Sequence, residues 1–315
     1  MHAISEKLVK YLRVQLNNPL LDIDTELKNI EGGFHTEIFG FSLSGTNGDL
    51  SKKLILRLFP ERSTEAVLES TIQNALASIG YPTAKAIIVC TDITILGGPF
   101  FIMEYLKGQL LMFEPEKYSA QSLGKAHAEL HSLSTTDLDK ELSKQGVEAW
   151  HLDDRFDWIA SRVEEMAWLN ETFNWLLENK PKVTQKEVIC HGDFHGLNVL
   201  TDNGSITGVL DWTSFLFANP TYDVARTVLI HKHTARHIPM LSSDIDWDLW
   251  VKRYLASYQE CSKFELDDLD YFVVLHCVVS LIYGHGGIDF WRLPPIEKGL
   301  IDCILTRTGV QVQIP

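Results

Sequence analysis

The chain has 315 residues, a formal net charge of −14, 45% hydrophobic residues and 22% charged residues. This composition is typical of a folded globular protein with room for two lobes, and it excludes a largely disordered or fibrous chain. The acidic balance opposes binding to nucleic acid or to anionic membranes and favours a cationic partner. The five cysteines are widely spaced, which argues against a disulfide framework or a thiolate zinc site and favours a cytoplasmic protein.

The first third of the chain reads as strands with two helices. Residues 1–15 predict an amphipathic helix rather than a secretory signal, because charges occur throughout them. In the region that follows, the sequence Gly-Thr-Asn-Gly-Asp predicts a turn between two strands. Gly80 and Pro82 predict the end of a helix. The apolar patterns predict strands over 37–43, 53–59, 86–90 and 100–105, and a helix over 63–79.

Beyond Leu106 the pattern becomes mainly helical, and all eight tryptophans fall at or after Trp150. We therefore expect an α+β protein with a small β-rich lobe over 1–105 and a larger, mainly helical lobe over 106–315. The apolar stretch 272–283 is too short to cross a bilayer and predicts a buried core helix.

One segment interrupts the helical pattern and concentrates the polar residues that need a chemical explanation. Phosphoryl transfer from a nucleoside triphosphate requires a carboxylate to deprotonate the acceptor hydroxyl and oxygen ligands to hold magnesium. The turn at Asn203-Gly204 would fold the chain back, so that residues on either side of it approach one point. The segment ICHGDFHGLNVLTDNGSITGVLDW (189–212) supplies His191, Asp193, His195, Asn198 and Asp211.

The sequence HGDFHGLN followed by LDW resembles the catalytic loop and metal-binding aspartate of the aminoglycoside phosphotransferase and choline kinase family. The resemblance implies a two-lobe protein-kinase-like fold with nucleotide bound in the cleft. It implies that Asp193 is the catalytic base, that His195 lies near the transferred phosphate, and that Asn198 and Asp211 bind Mg²⁺. Within DWTSFLFANPTYDVART, Asp223 would buttress the catalytic loop.

Landmarks of the same family precede this loop in the same order. The stretch EGGFHT resembles the nucleotide-covering loop, whose glycines let backbone amides approach phosphates. Its residues assigned to nucleotide binding are Gly33, Phe34, His35 and Thr36. In the hinge strand FFIMEYL, the backbones of Glu104 and Leu106 would meet the adenine edge.

A departure from the family pattern occurs in LILRLF, where Arg57 stands at the position of the lysine that grips the first phosphates in most eukaryotic-type kinases. Arginine keeps the charge and can fork onto phosphate oxygens, so the same role is expected with a different geometry. The resemblance implies Glu69 as the ion-pair partner of Arg57, with Glu65 as the competitor.

The activity implied by the resemblance is transfer of the γ-phosphoryl group of ATP or GTP to a hydroxyl group of a small molecule, with Mg²⁺ as the cofactor. The acceptor class is an aminoglycoside, a sugar or an amino alcohol. Acidic clusters over 152–158, 242–250 and 265–271 could line a pocket for a polycation, although solvated helix faces are the simpler explanation.

Three other interpretations remain open from the residues. A kinase homologue could bind nucleotide without catalysing transfer. A protein kinase is disfavoured because the short segment after Asp211-Trp212 leaves little room for an activation loop. A metal-dependent hydrolase could use the histidines and aspartate at His191, Asp193, His195, His231, His233 and His237, but His231 and His233 would point to different faces of a helix and suggest a solvated basic turn.

Overall fold

The computed structural model describes residues 2–30, 36–61, 63–182, 186–238, 241 and 244–314. Its first part alternates strands with helices. The elements are α1 (His2–Gln15), β1 (Asp22–Asn29), β2 (Glu37–Ser44), β3 (Leu54–Leu58), α2 (Glu65–Ser78), β4 (Ala86–Cys90), α3 (Ile93–Leu96) and β5 (Phe100–Glu104).

These strands form one antiparallel sheet in the order β1-β2-β3-β5-β4. The central strand β3 is buried along its whole length, and Leu56 lies opposite both Phe39 and Ile102. Alternate residues of β3 face opposite sides of the sheet, with Leu56 in the core shared with α1 and Ile55 in the core shared with α2. Because Arg57 has the parity of Ile55, its side chain is directed to the α2 side.

The predicted helices and strands of this region are confirmed, with ends shifted by one or two residues. The sequence analysis missed β1, whose residues DIDTELKN are mostly exposed and polar. An edge strand has only one neighbour to pair with, so it can form without the apolar alternation that identifies an interior strand.

The second part of the chain is mainly helical. Its elements are β6 (Gln109–Leu110), α4 (Glu116–Ser132), α5 (Thr135–Lys144), α6 (Leu152–Val163), α7 (Asn170–Glu178), β7 (Val188–Cys190), β8 (Val199–Asp202), β9 (Ser205–Val209), β10 (Leu216–Ala218), α8 (Pro220–Leu229), α9 (Trp247–Cys261), α10 (Leu269–His285) and α11 (Pro294–Thr308). A π-helical turn over Ile230–Thr234 continues α8.

Helix α10 forms the centre of the larger core. It is apolar on nearly every face and packs against α8, α11, α7 and α6, which confirms the predicted buried helix at 272–283. Over the described ranges, none of the helices combines the length and the apolar character needed to cross a membrane.

The chain divides into two compact units. The sheet unit comprises Met1–Gly108, Lys140–Val147 and Thr201–Thr213, and the helical unit comprises Gln109–Asp139, Glu148–Leu200 and Ser214–Pro315. The sheet unit thus includes the β9 strand and Asp211, which lie far along the chain from the five-stranded sheet. The lobe boundary near residue 106 stays a prediction.

Candidate active site

In the sheet unit, Arg57 and Glu69 form a buried ion pair. Arg57 Nη1 donates to Glu69 Oε1 at 2.6 Å, and the two side chains are 8% and 0% exposed. Glu69 lies on α2, where Gln73 one turn later donates to the same oxygen at 3.2 Å. The structure therefore places Glu69, rather than Glu65, beside Arg57.

The electrostatics of this pair are set by burial and by a second carboxylate. Burial raises the pKa of Glu69 to about 8, against the opposing effect of the Arg57 guanidinium, and the nearby Asp211 raises it further. Arg57 Nη2 also lies 3.2 Å from Asp211 Oδ1. One guanidinium is thus shared by two carboxylates, which favours the approach of a further cation.

Asp211 has an unusual backbone conformation, with φ of 64°. This left-handed region is costly for a residue with a Cβ and is found where neighbours enforce it. The neighbour here is Trp212, whose amide donates to Glu69 at 3.3 Å and whose indole N–H is within 3.1 Å of both Thr83 Oγ1 and the Val209 carbonyl. Trp212 is fully buried, so it fixes the direction of Asp211.

The hairpin between β8 and β9 brings Asp211 back to this network. Asn203 and Gly204 have φ of 49° and 81°, as a two-residue type I′ turn requires. Gly208 then passes so close to Leu106 that an added Cβ would lie 2.4 Å from the leucine side chain. Thr207 Oγ1 donates to the carbonyl of Lys107 at 2.6 Å. The stretch containing Leu106 is thereby tied to the strand that leads to Asp211.

The other residues assigned to nucleotide binding lie in the same unit or outside the described residues. Gly33, Phe34 and His35 are outside them. Thr36 precedes β2, and its buried hydroxyl has no hydrogen-bond partner among the described residues. The amide of Glu104 donates to the carbonyl of Lys85 at 3.1 Å, so any contact of Glu104 with a base would use its carbonyl. Their roles stay predictions.

In the helical unit, Asp223 anchors the start of the HGDFHGLN loop, which is the predicted catalytic loop. Its two oxygens accept hydrogen bonds from the amides of His191 and Gly192 at 2.7 and 2.8 Å. Gly192 has φ of 79°, and a Cβ there would lie 2.2 Å from the carbonyl oxygen of Ser214, so only glycine fits. These contacts give Asp223 the position expected of a buttress.

Two buried histidines of α4 complete the surroundings of Asp223. The Nε2 atoms of His127 and His131 lie 3.0 and 3.3 Å from Asp223 Oδ2, and each Nδ1 lies 2.7 Å from a tyrosine hydroxyl, of Tyr254 and Tyr258 respectively. Burial tends to raise the pKa of Asp223, but the two histidines outweigh it and hold that pKa well below its ordinary value. Burial lowers the pKa of His127 to about 4.

The sequence analysis did not identify these histidines. His127 and His131 are one helical turn apart, which is a signal that they share a face. Within the described residues they form, with Asp223, the group of three side chains that could hold a metal ion. Because each ring already bonds to a tyrosine hydroxyl, the arrangement acts as a hydrogen-bonded anchor.

Asp193, the predicted base, is 29% exposed and is held on both oxygens. Oδ2 lies 3.2 Å from His195 Nε2, and Oδ1 accepts a hydrogen bond from Arg226 Nε at 3.1 Å and lies 3.0 Å from Arg226 Nη2. Burial opposes ionisation, but His195 and Arg226 outweigh it and hold the pKa of Asp193 below its ordinary value. A carboxylate that is ionised and partly exposed can accept a proton from a substrate hydroxyl.

Asn198 lies in the same loop with its amide nitrogen turned inward. Nδ2 donates to the carbonyl of Asp193 at 3.1 Å, and the backbone amide donates to the carbonyl of His195 at 2.8 Å. This orientation leaves Oδ1 as the ligand atom of Asn198. Magnesium prefers such hard oxygen donors, so the amide of Asn198 and the carboxylate of Asp211 fit the ion chemically.

One of the histidines considered for a hydrolase site, His231, does not lie in a solvated turn. His231 is buried, stacks on Trp250 with ring centroids 3.9 Å apart, and its Nδ1 lies 2.8 Å from the carbonyl of Thr227. The expectation of a solvated basic turn is therefore wrong for His231, because the aromatic face of Trp250 covers it.

The sequence model of the phosphotransferase enzyme family matches residues 26–272. The chain belongs to the phosphotransferase enzyme family. The match runs from within β1 to the start of α10 and includes Arg57, Glu69, Asp193, Asp211 and Asp223. The predicted family resemblance is confirmed.

Two curated relatives of this phosphotransferase-family chain differ in what they share with it. Mouse (Mus musculus) acyl-CoA dehydrogenase family member 11 is 30% identical over 189 residues, covering 55% of this chain and 24% of the relative. Hygromycin-B 4-O-kinase of Escherichia coli is 44% identical over 57 residues, covering 18% of this chain and 16% of the relative. The chain spans about a quarter of the length of the acyl-CoA dehydrogenase relatives that it matches.

A solved structure confirms the fold class of this family member. The chain is similar to a thermostable mutant of aminoglycoside phosphotransferase APH(4)-Ia in ternary complex with ADP and hygromycin B, with a TM-score of 0.65 and 17% identity over 97% of this chain and 100% of that chain. The fold is that of a kinase-like phosphotransferase, with a small antiparallel sheet and a mainly helical C-terminal part, as predicted.

Proposed function

We propose that this protein transfers the γ-phosphoryl group of ATP or GTP to a hydroxyl group of a small molecule, in the class of aminoglycosides, sugars or amino alcohols. The observation that carries the proposal is the state of Asp193, which is ionised, partly exposed and fixed on both oxygens. Membership of the phosphotransferase family supports it, as does the likeness to a fold whose solved complex holds ADP and hygromycin B.

The chain's own residues would act mainly by positioning and by proton transfer. Asp193 orients the acceptor hydroxyl and accepts its proton as the acceptor oxygen bonds to the γ-phosphorus and the bond from that phosphorus to the bridging oxygen breaks. His195, whose Nε2 lies 3.2 Å from Asp193 Oδ2, would donate a hydrogen bond to the transferred phosphoryl oxygens.

The remaining assignments concern the nucleotide and the metal. Asn198 and Asp211 would hold Mg²⁺, which supplies positive charge to the triphosphate when it is bound. Arg57, fixed by Glu69, would contact the phosphates together with the Gly33, Phe34, His35 and Thr36 loop. The backbones of Glu104 and Leu106 would meet the base.

The cellular setting is also part of the proposal. All five cysteines lie within the described residues and none is paired in a disulfide, which supports a reducing compartment such as the cytoplasm. The net charge of −14 supports a small-molecule acceptor, including a cationic one, rather than nucleic acid or a membrane surface.

A thermal-shift and transfer experiment tests the proposal. Wild-type protein is heated with Mg²⁺ and ATP, GTP or neither, and the same series is run on Asp211→Ala. Hydroxylated acceptors are then screened for a phosphorylated product by mass spectrometry, with Asp193→Asn as the matched control. We expect nucleotide stabilisation that Asp211→Ala loses, and product formation that Asp193→Asn lowers by about 10³-fold while keeping nucleotide stabilisation.

Three outcomes would count against it. No nucleotide response together with stabilisation by Zn²⁺ would favour the hydrolase interpretation. Nucleotide stabilisation without transfer to any acceptor would favour a binding homologue. Product formation that Asp193→Asn leaves unchanged would remove Asp193 as the base.

A further inference from the structure

Arg226 is a buried arginine that contacts the proposed catalytic base. It lies on α8 and is 5% exposed. Nε donates to Asp193 Oδ1 at 3.1 Å and Nη2 lies 3.0 Å from the same oxygen, while Nη1 donates to Ser280 Oγ at 2.8 Å. The guanidinium carbon also lies 4.7 Å from the ring centroid of Trp291. Hydrogen bonds at two edges and an aromatic ring therefore hold the guanidinium in one place.

The contact is asymmetric with respect to the two carboxylate oxygens of Asp193. Two nitrogens of the arginine, Nε and Nη2, lie at Oδ1, whereas Oδ2 faces His195 Nε2 at 3.2 Å. An oxygen that accepts a charge-assisted hydrogen bond and lies against a second guanidinium nitrogen has its charge partly compensated. The other oxygen is then the atom with capacity for a substrate proton.

We propose that Arg226 is a positioning residue that immobilises Asp193 through Oδ1 and reserves Oδ2 to receive the proton of the acceptor hydroxyl. The inference rests on the proposed phosphotransferase function and deepens it. Ser280 of α10 and the ring of Trp291 also contact the guanidinium. The orientation of the base is therefore coupled to the central helix of the larger core.

The role depends on the planar fork of arginine. Lysine would keep a positive charge near Asp193, but a single ammonium cannot place two fixed nitrogens at Oδ1 while a third donates to Ser280. The carboxylate could then rotate about χ2 and present either oxygen to the acceptor. A misplacement of about 1 Å at a reacting group lowers rates on the order of 10²-fold.

The test compares steady-state kinetics of Arg226→Met, Arg226→Lys and Ser280→Ala with those of the wild type. We expect kcat to fall on the order of 10²-fold in Arg226→Met and to recover only in part in Arg226→Lys. The KM values for nucleotide and acceptor should stay within about twofold, because the arginine acts through Asp193. Ser280→Ala, which keeps the charge and removes one support, should show a smaller fall in kcat.

Controls separate this role from general destabilisation. Arg253→Met removes an arginine whose ion pair with Glu116 is about one-third exposed, and it should leave kcat and KM unchanged. Magnesium-nucleotide thermal shifts on every variant report whether the fold is intact. Should Arg226→Met fail to fold, Arg226→Lys and Ser280→Ala still carry the comparison.

The outcomes distinguish the two proposals. A wild type without transfer activity overturns the proposed function and this inference with it. An active wild type whose kcat survives in both Arg226→Lys and Ser280→Ala overturns the inference alone, as does a loss that appears only in KM. Restoration of kcat in Arg226→Ala by added methylguanidinium would support the inference, because only a missing guanidinium can be replaced in that way.

Discussion

The two units hold their buried or partly buried carboxylates through different interactions. In the sheet unit, two carboxylates, Glu69 and Asp211, share the single guanidinium of Arg57. In the helical unit, the carboxylate of Asp223 accepts hydrogen bonds from two backbone amides and lies within 3.3 Å of two histidine rings. In the first arrangement two acidic side chains share one cation and the pKa of Glu69 is raised, whereas in the second every oxygen of the carboxylate is occupied.

The difference separates a binding network from an anchoring network. A further cation beside this cluster would favour the ionised form of Glu69, which suits residues proposed to bind magnesium and phosphate. A carboxylate whose oxygens already accept several hydrogen bonds is poorly suited to bind a ligand, but its removal costs much folding stability. We therefore expect damage to the anchor to affect folding most, and damage to the binding network to affect ligand response.

The largest expected effect is the loss of the anchor in Asp223→Ala. The change leaves the amides of His191 and Gly192 buried without their acceptor and removes the partner of His127 and His131, so unfolding free energy should fall by about 5 kcal/mol. Urea unfolding monitored by tryptophan fluorescence measures it. Asp153→Ala, on an 85% exposed side chain, is the control. A loss below about 1 kcal/mol would contradict the anchoring role.

A second prediction places acid sensitivity in the helical unit. Burial lowers the pKa values of His127, His231 and His276 to about 4, 3 and 3, so these rings are neutral when folded and protonate near pH 6.5 when unfolded. Their stabilising contribution is complete above pH 6.5 and is lost as the pH falls toward 4. Three extra protons bound by the unfolded chain give a slope of about 4 kcal/mol per pH unit near pH 5.

Urea unfolding at several pH values measures this slope, and hydrogen exchange locates it. His231→Phe, which keeps the stacking on Trp250, should lower the slope by about one proton, whereas the half-exposed His151→Gln is the control. Loss of amide protection that begins in the five-stranded sheet as the pH falls would contradict the assignment to the helical unit.

A third prediction concerns the shared guanidinium. Arg57→Met leaves Glu69 buried without its cation and should cost about 3 kcal/mol, less if Glu69 takes up a proton, as its raised pKa favours. Adding Glu69→Gln should restore part of the loss, so a double-mutant cycle would show coupling of about 2 kcal/mol. Strictly additive changes would argue against the pair. Arg253→Met, at an ion pair that is about one-third exposed, should cost under about 1 kcal/mol.

The sequence revealed those parts of the site whose residue types are dictated by chemistry. Asp193, Asn198 and Asp211 stand in a motif because proton transfer and magnesium binding demand carboxylate and amide oxygens at short spacing. Their roles remain predictions. Arg226 and His127 were not found, because they reach the loop through space from helices distant in the chain, and no local pattern marks such a contact.

The fold was predictable where buried apolar residues recur with the period of a strand or a helix. Strand β3 and helix α10 are apolar in the expected pattern, whereas β1 is a polar edge strand that its pairing with β2 alone defines. His231 misled the sequence analysis for the opposite reason. A histidine followed by Lys232 and His233 suggests solvent, but stacking on Trp250, 19 residues further along the chain, buries the ring.

The smallest expected effect on stability is at Trp212, where the comparison between anchoring and binding can be tested most finely. Trp212→Phe keeps most of the buried volume but removes the indole donor to Thr83 and to the carbonyl of Val209, which also accepts from the Thr83 hydroxyl. Stability should fall by only about 1 kcal/mol, since that carbonyl keeps a donor. The magnesium-dependent thermal shift with nucleotide should nevertheless shrink, because the indole directs the left-handed backbone of Asp211.

Trp150→Phe, on a 41% exposed ring, serves as the control and should change neither quantity. An unchanged nucleotide response in Trp212→Phe would mean that the Arg57 and Thr213 contacts suffice to orient Asp211.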